Sequence, residues 1–285
     1  MKWFCVVACL AAAFLPGTVI GQPPQSTPQI GDTHEITLQR DSKEESSDGS
    51  SGSTHDLWTV IERVVAVRED GLELEYDHPS DVSAEEKASD WQFPVRVFRP
   101  AHGPIQLLNA TELETRIDSW LKAAKLTRAM CGHWIFTWNA FQIECDPQSA
   151  IKTVEGYDLR STELREGLPY QMKGALSAAP LTQKRAGPFG ATFTAQLGVD
   201  PEAVRRSHAE SDVVIAEIMQ KPITLDAAVQ ARAKESISGT ILVTFETDAS
   251  GLPRRRTTVT ELQVKGADGA LTKKTITEVL ERRAI

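Results

Sequence analysis

The chain has 285 residues, of which 41% are apolar and 25% charged, and its formal net charge is −8 at pH 7. This is ordinary globular composition, which excludes a collagenous, coiled-coil or wholly disordered chain, and the one long apolar run, at the N-terminus, excludes a polytopic helical membrane protein. The acidic balance argues against a nucleic-acid-binding protein that uses a broad basic surface, so no nucleic acid is expected as a partner.

The first 21 residues have the pattern of a secretory signal peptide. Lys2 supplies a positive charge, an apolar run extends from Trp3 to Leu15, and small residues precede the predicted cleavage after Gly21. The run is too short to span a bilayer comfortably, and an uncleaved anchor is the alternative. We therefore predict an exported protein with no stable transmembrane anchor, periplasmic in a Gram-negative host and secreted in any other.

Export changes the meaning of the cysteines. Two of the four leave with the signal peptide, so the mature chain keeps Cys131 and Cys145. In an oxidising compartment, two cysteines at this spacing are expected to form a disulfide. The alternative makes Cys131 a nucleophile with His133 or Asp146 near it, but no separate base is indicated.

The N-terminal part of the mature chain is predicted to form a meander of strands after a flexible leader at residues 22–32. Alternation of apolar and polar side chains predicts strands at residues 34–39, 57–68, 72–76 and 91–98. The acidic, Ser/Gly-rich segment 41–54 is expected to be a mobile loop. Pro94 indicates that its strand lies at the edge of a sheet.

Helices are predicted in the middle of the chain and strands at its end. A capping box of Thr111 and Glu114, followed by an apolar stripe, predicts the clearest helix. Asp146, Asp200 and Thr224 are suitable N-cap residues for three further helices. Residues 158–190 have no clear periodicity and are expected to be mainly loop. The remaining strands are predicted at residues 191–199, 240–247, 254–264 and 271–282.

This order of elements predicts an α+β fold, because strands in hairpins at both ends enclose a group of helices. The expected architecture is an antiparallel, hairpin-rich curved sheet packed against several helices. Residues 33–285 are predicted to form a single domain. Two subdomains that meet near residues 158–190 fit the pattern almost as well.

Motif searches identify no active site. The chain has no zinc-protease, P-loop, EF-hand or serine-hydrolase motif, and its histidines lack metal-ligand spacing. His208 lies on the apolar stripe of a predicted helix, where a hydrogen-bonded residue at the edge of the core is favoured over a ligand or general base. We therefore predict no cofactor and no metal, favour a protein that is not an enzyme, and leave catalytic residues unassigned.

The densest aromatic group is Trp134, Phe136 and Trp138, on one face of a hairpin predicted between the two cysteines. Aromatic side chains in this position are usually part of the core. The alternative is that they line an apolar cavity or an exposed patch that binds a ligand, because large aromatic groups supply contact area at a low cost in entropy.

Three stretches resemble segments of uncharacterised exported proteins of Gram-negative bacteria. They are residues 61–76 (IERVVAVREDGLELEY), 134–146 (WIFTWNAFQIECD) and 239–247. The resemblance covers most of the mature chain and implies a periplasmic location. That group of proteins has no assigned activity, so the resemblance implies no site residues.

The leading functional hypothesis is a non-enzymatic periplasmic protein that binds a hydrophobic small molecule or a component of the cell envelope in an aromatic-lined interior. One alternative is an exported hydrolase with a site assembled from dispersed residues such as His208. The other is a structural envelope protein that recognises a partner protein through an exposed sheet edge. The sequence does not predict the oligomeric state.

Overall fold

The computed structural model describes residues 27–136, 140–187 and 190–285. The strands of these ranges are β1 (Thr33–Ser46), β2 (Ser51–Arg68), β3 (Gly71–Asp77), β4 (Val95–Pro100), β5 (Gln106–Leu107), β6 (Trp134–Phe136), β7 (Ala140–Gln142), β8 (Pro169–Tyr170), β9 (Ala179–Pro180), β10 (Thr182–Gly187), β11 (Gly190–Gly198), β12 (Ser236–Thr247), β13 (Pro253–Lys265) and β14 (Leu271–Ala284). The helices are α1 (Ala84–Ser89), α2 (Ala110–Ala123), α3 (Ser149–Tyr157), α4 (Pro201–Ile218) and α5 (Leu225–Ala231).

The predicted α+β class is wrong, because the protein is β-rich. Strands hold 44% of the structure and helices 23%, and ten strands form one antiparallel sheet in the order β10-β11-β12-β13-β14-β1-β2-β3-β4-β5. The first strand, β1, lies at the centre of this sheet, and β2 to β5 follow one another from it to one edge. On the other side, β10 is the edge strand, and β11 to β14 follow one another back to the centre, where β14 pairs with β1. Neighbouring strands are therefore mostly consecutive hairpins.

The segment 41–54, expected to be a mobile loop, mostly belongs to the central strands β1 and β2. Two of its acidic residues lie opposite basic residues of β14: Glu44 pairs with Lys274 and Glu45 with Lys273. Glu44 and Lys274 also form an ion pair at 3.3 Å. Ladder hydrogen bonds and opposite charges on a strand more than 200 residues away thus order a segment whose composition is typical of a loop.

The core divides into two clusters along one sheet. The first joins β1–β4 and β14 to α2, α3 and the β6–β7 hairpin; its fully buried members are Ile36, Val60, Val64, Leu74, Tyr76, Val95, Val97, Leu113, Ile117, Ile143, Ala150, Val154, Leu159 and Leu280. The second is centred on β11 and β12 and includes Phe193, Val243 and Phe245. Tyr170 packs edge-to-face on Phe245 at 5.2 Å between ring centroids. The predicted subdomain boundary near residues 158–190 stays a prediction.

Two local predictions differ from the structure, and a third agrees with it. Helix α2 begins after Asn109, which makes no side-chain cap; its amide instead accepts the Arg96 N–H at 2.9 Å and donates to the Pro94 carbonyl, so Thr111 is not the cap. Pro94 precedes β4, which lies between β3 and the two-residue β5. Residues 158–190, expected to be mainly loop, are mainly loop in their described part and also contain the short strands β8, β9 and β10.

A disulfide joins Cys131 to Cys145, with the two Cα atoms 5.6 Å apart. It closes the base of the β6–β7 hairpin, in which Trp134 pairs with Gln142. Ile143, just after the hairpin, is fully buried in the first core cluster. Among the described residues, no helix combines the length and the apolar character needed to cross a membrane.

Candidate functional site

Glu62 is a charged residue in a core position. It lies on β2 between Val60 and Val64, and all three side chains point to the buried face because alternate residues of a strand share a face. Glu62 has only 2% of its surface exposed. Tyr76 lies directly opposite it on β3 and is also buried.

Four side-chain hydrogen bonds hold the Glu62 carboxylate. Its Oε1 accepts from Arg160 Nη2 at 3.1 Å and from Arg282 Nε and Nη2 at 3.1 and 2.9 Å, and its Oε2 accepts from the Tyr76 hydroxyl at 2.9 Å. We call these four residues the Glu62 network. A buried charge of this kind is tolerated because it is both paired and hydrogen-bonded.

The charges around Glu62 decide its protonation. Burial by itself raises the pKa of this carboxyl, but the guanidinium groups of Arg160 and Arg282 and the hydrogen bonds from Arg282 and Tyr76 outweigh it and bring the pKa down to about 2. Burial also raises the pKa of the Tyr76 hydroxyl, as does the neighbouring Glu62 charge. The network therefore contains an ionised carboxylate, a neutral phenol and two guanidinium ions.

His34 of β1 lies beside this network. Its Nδ1 is 3.7 Å from Glu62 Oε1, and this nitrogen is buried with no hydrogen-bond partner among the described residues. Burial, followed by the charge of Arg282, lowers the pKa of His34 to about 4, although Glu62 acts in the opposite direction. The imidazole is therefore neutral near pH 7.

The low pKa of His34 predicts acid sensitivity. Its folded-state pKa of about 4 lies below the ordinary value of 6.5, so between these pH values the unfolded chain binds more protons than the native protein. The contribution of His34 is fully present above pH 6.5 and is lost as the pH falls towards 4. We expect the free energy of unfolding, measured by urea denaturation at several pH values, to fall across this window.

The His34→Asn variant tests which residue is responsible. It should show a flatter pH dependence between pH 6.5 and 4 than the wild type, and His102→Asn, a change at an exposed histidine in the loop after β4, is the control for the substitution itself. Equal slopes in all three proteins would contradict the assignment.

A polar cleft of about 590 Å³ opens next to the Glu62 network. It lies between the loop after β4, the segment after α3 and the turn between β12 and β13. Its lining residues are Arg99, Pro100, Ala101, His102, Gly103, Ile105, Asp158, Arg160, Ser161, Thr162, Glu163, Leu164, Ser250, Gly251, Leu252 and Pro253. The least exposed charged side chains, Asp158, Arg160 and Arg99, form what we call the cleft floor.

The cleft floor has more positive than negative charge. Asp158 Oδ2 lies 3.5 Å from Arg99 Nε, and Asp158 Oδ1 accepts the backbone N–H of Arg160 at 2.8 Å. Arg160 Nη2 donates an N–H to Glu62 Oε1, while its Nε is buried without a hydrogen-bond partner in the described part of the chain. With Glu62 and Arg282 included, three guanidinium groups face two carboxylates. Arg282 does not line the cleft, and the lining itself has two arginines, Arg99 and Arg160, and two carboxylates, Asp158 and the exposed Glu163.

His208 occupies a second, smaller cleft of about 230 Å³. Its Nδ1 is 3.4 Å from Glu235 Oε2, and Arg232 contacts both Glu235, at 2.5 Å, and Asp212, at 2.7 and 2.5 Å. The hydrogen bond from Arg232 lowers the pKa of Asp212. These ion pairs connect α4 to the segment that leads into β12. His208 is thus a hydrogen-bonded, partly buried residue between these two elements.

The predicted aromatic site can be placed only in part. Trp134 on β6 is half-buried, and its backbone N–H is 3.5 Å from Glu217 Oε1 of α4. The Phe136 side chain and Trp138 lie outside the described residues. Trp134 does not line the polar cleft. An aromatic-lined interior therefore stays a prediction.

The sequence reasoning missed the Glu62 network and the polar cleft. Arg160 lies 98 residues and Arg282 lies 220 residues from Glu62, so no local motif contains them. One signal was present: Glu62 stands at an inward position of the alternating stretch VIERVV, where an apolar residue is expected. A charge on the core face of a strand requires a buried partner.

The comparisons with known proteins assign no family. No protein-family model matches the chain, and no curated protein matches it. One solved structure found by the comparison is that of Ail, the attachment invasion locus protein of Yersinia pestis, with a TM-score of 0.20 and 4% identity over 89% of this chain and 99% of that one.

Another is a conserved protein of unknown function with a hot dog fold from Alicyclobacillus acidocaldarius. Its TM-score is 0.12, with 12% identity over 91% of this chain and 82% of that one. Scores this low establish no common fold. The functional argument therefore depends on the geometry of this chain.

Proposed function

We propose that this protein is an exported binding protein whose polar cleft takes a small anionic ligand bearing a carboxylate, phosphate or sulfate group. The observation that carries the proposal is the pair of guanidinium groups, Arg99 and Arg160, at the floor of an open cleft, where the buried Nε of Arg160 has no hydrogen-bond partner among the described residues. Guanidinium groups suit such ligands because their planar N–H donors match oxyanion geometry. The ligand is thus more polar than the one expected from the aromatic hairpin.

The rigidity of the floor supports a binding role. Arg160 is held by Glu62, and Glu62 is held in turn by Arg282 and Tyr76, so the guanidinium of Arg160 is fixed before any ligand arrives. A group that is already in place loses little conformational entropy on binding. The cleft volume of about 590 Å³ is within the range of small-molecule sites.

The exported location is part of the same proposal. Its support is the signal-peptide pattern of the first 21 residues, together with the Cys131–Cys145 disulfide, which is typical of an oxidising compartment. The resemblance to exported proteins of Gram-negative bacteria favours the periplasm. Native mass spectrometry of untagged protein recovered from its own cell envelope identifies a ligand as a mass that is lost on denaturation.

The binding test uses sulfate and citrate as probes in isothermal titration calorimetry. We expect Arg99→Gln to weaken binding of either probe about tenfold, the loss of one charge-assisted hydrogen bond. The matched control is Arg63→Gln, which removes an exposed arginine of β2 outside the cleft. It should leave the dissociation constant unchanged.

A second variant guards against an effect of Arg99→Gln on folding, since Arg99 is the ion-pair partner of Asp158. Ser161→Trp places a large side chain at an exposed position of the cleft wall and should abolish binding while the melting temperature is kept. No binding of any anion to the wild-type protein, or equal affinities in all variants, would refute the proposed function.

A further inference from the structure

The Glu62 network connects His34 to the polar cleft through two contacts. His34 Nδ1 lies 3.7 Å from Glu62 Oε1, and the same oxygen accepts from Arg160 Nη2 at 3.1 Å. Arg160 belongs to the cleft floor. A change in the charge of His34 therefore changes the electrostatic environment of Arg160, which is two side-chain contacts away and lines the cleft.

We infer that proton uptake by His34 and anion binding in the polar cleft favour each other, so that the cleft binds anions more tightly in acid. This inference rests on the proposed function. It adds a regulatory property of the site: occupancy is linked to pH through a histidine that does not contact the ligand.

The coupling follows from electrostatics in a buried setting. The charges of Arg282 and Arg160 oppose protonation of His34, and burial adds to this effect. An anion on the cleft floor compensates part of the charge of Arg160, which makes a positive charge on His34 less unfavourable. By linkage, a ligand that raises the pKa of a group must bind more tightly when that group is protonated.

The groups that face His34 have opposing effects. They are Glu62 of β2, Arg282 of β14, Arg160 of the segment after α3, and Asp32 just before β1. The two carboxylates favour the imidazolium ion and the two arginines oppose it. Because the net result is a pKa of about 4, the arginines and burial dominate in the free protein. An anion bound at Arg160 offsets part of one of these dominant contributions and so raises the pKa of His34.

The size of the effect can be bounded. If a bound anion raises the pKa of His34 by one unit from about 4, the dissociation constant at pH 4.5 is about threefold lower than at pH 7.5. A larger rise gives a larger change. The dependence should be confined to pH values below about 6, where His34 begins to protonate.

Sulfate is the appropriate probe, because it keeps its double negative charge from pH 7.5 to 4.5. Calorimetric titrations at both pH values should give an about threefold lower dissociation constant in acid for the wild-type protein. His34→Asn should remove this difference. His102 and Glu163 also line the cleft, so His102→Asn and Glu163→Gln serve as controls and should keep the difference between the two pH values, whatever their own affinity for sulfate.

A second measurement uses the wild-type protein alone, so it does not require that the variants fold. The imidazole proton signal of His34 in the wild-type protein, followed by NMR against pH, should titrate at a higher pH with saturating sulfate than without it. Sulfate binding with no pH dependence and an unshifted titration would overturn the coupling and leave the proposed function standing. No sulfate binding at either pH would overturn the coupling, and the proposed function would fall with it only if citrate also failed to bind.

Discussion

Glu62→Gln should lower the free energy of unfolding by about 3–5 kcal/mol, the loss typical of a buried ion pair that is deprived of one partner. The substitution keeps the shape of the side chain but removes its charge. Arg160 and Arg282, each with 11% of the side chain exposed, then face each other without a carboxylate between them. The cost is mainly that of two buried guanidinium ions with no counter-charge.

Urea denaturation at pH 7 measures this loss. The matched control is Glu75→Gln on the neighbouring strand β3, where the carboxylate lies 3.5 Å from the exposed Arg63. An ion pair of this type contributes less than about 1 kcal/mol, so the control should unfold close to the wild type. A loss below about 1 kcal/mol for Glu62→Gln would show that the network does not hold the core together.

The double variant Cys131→Ser/Cys145→Ser should lose about 3 kcal/mol of stability, because the cross-link removes loop-closure entropy from the unfolded chain. The bond holds the base of the β6–β7 hairpin, beside which Ile143 is buried in the first core cluster. Without the disulfide, the unfolded chain has more conformational freedom, and the β6–β7 hairpin opens more readily at its base in the native state.

Chemical denaturation of the oxidised wild type and the double variant gives the difference directly. The wild type in reductant provides the control and should lose the same amount. Intact mass after alkylation should find no free thiol in the native mature protein. Two alkylated cysteines under native conditions, or equal stability of the oxidised and double-variant proteins, would contradict the expectation.

Local signals predicted the elements whose energetics are local. Asp200 and Pro201 begin α4 as expected: the Asp200 carboxylate accepts the Glu202 N–H at 2.9 Å, and proline occupies the first turn. Thr224 likewise accepts the Ala227 N–H at the start of α5. These hydrogen bonds lie within three residues, so the sequence contains both partners side by side.

The fold class was wrong where strand pairing depends on distant segments. The serine- and glutamate-rich end of β1 is extended because β2 and β14 flank it on both sides, and its glutamates Glu44 and Glu45 face Lys274 and Lys273. No property of residues 41–54 alone indicates this. The same holds for β10, which is a strand because β11 pairs with it.

The sequence by itself determined the signal-peptide pattern, the candidate disulfide and most hairpin strands, because each depends on residue types at short spacing. Only the tertiary structure decided that Glu62, Arg160 and Arg282 meet, and that Arg99 and Asp158 join Arg160 beside an open cleft. The physical reason is that burial and charge compensation are properties of three-dimensional neighbours. A carboxylate becomes part of a site only when the fold removes it from water and brings its counter-ions from distant parts of the chain.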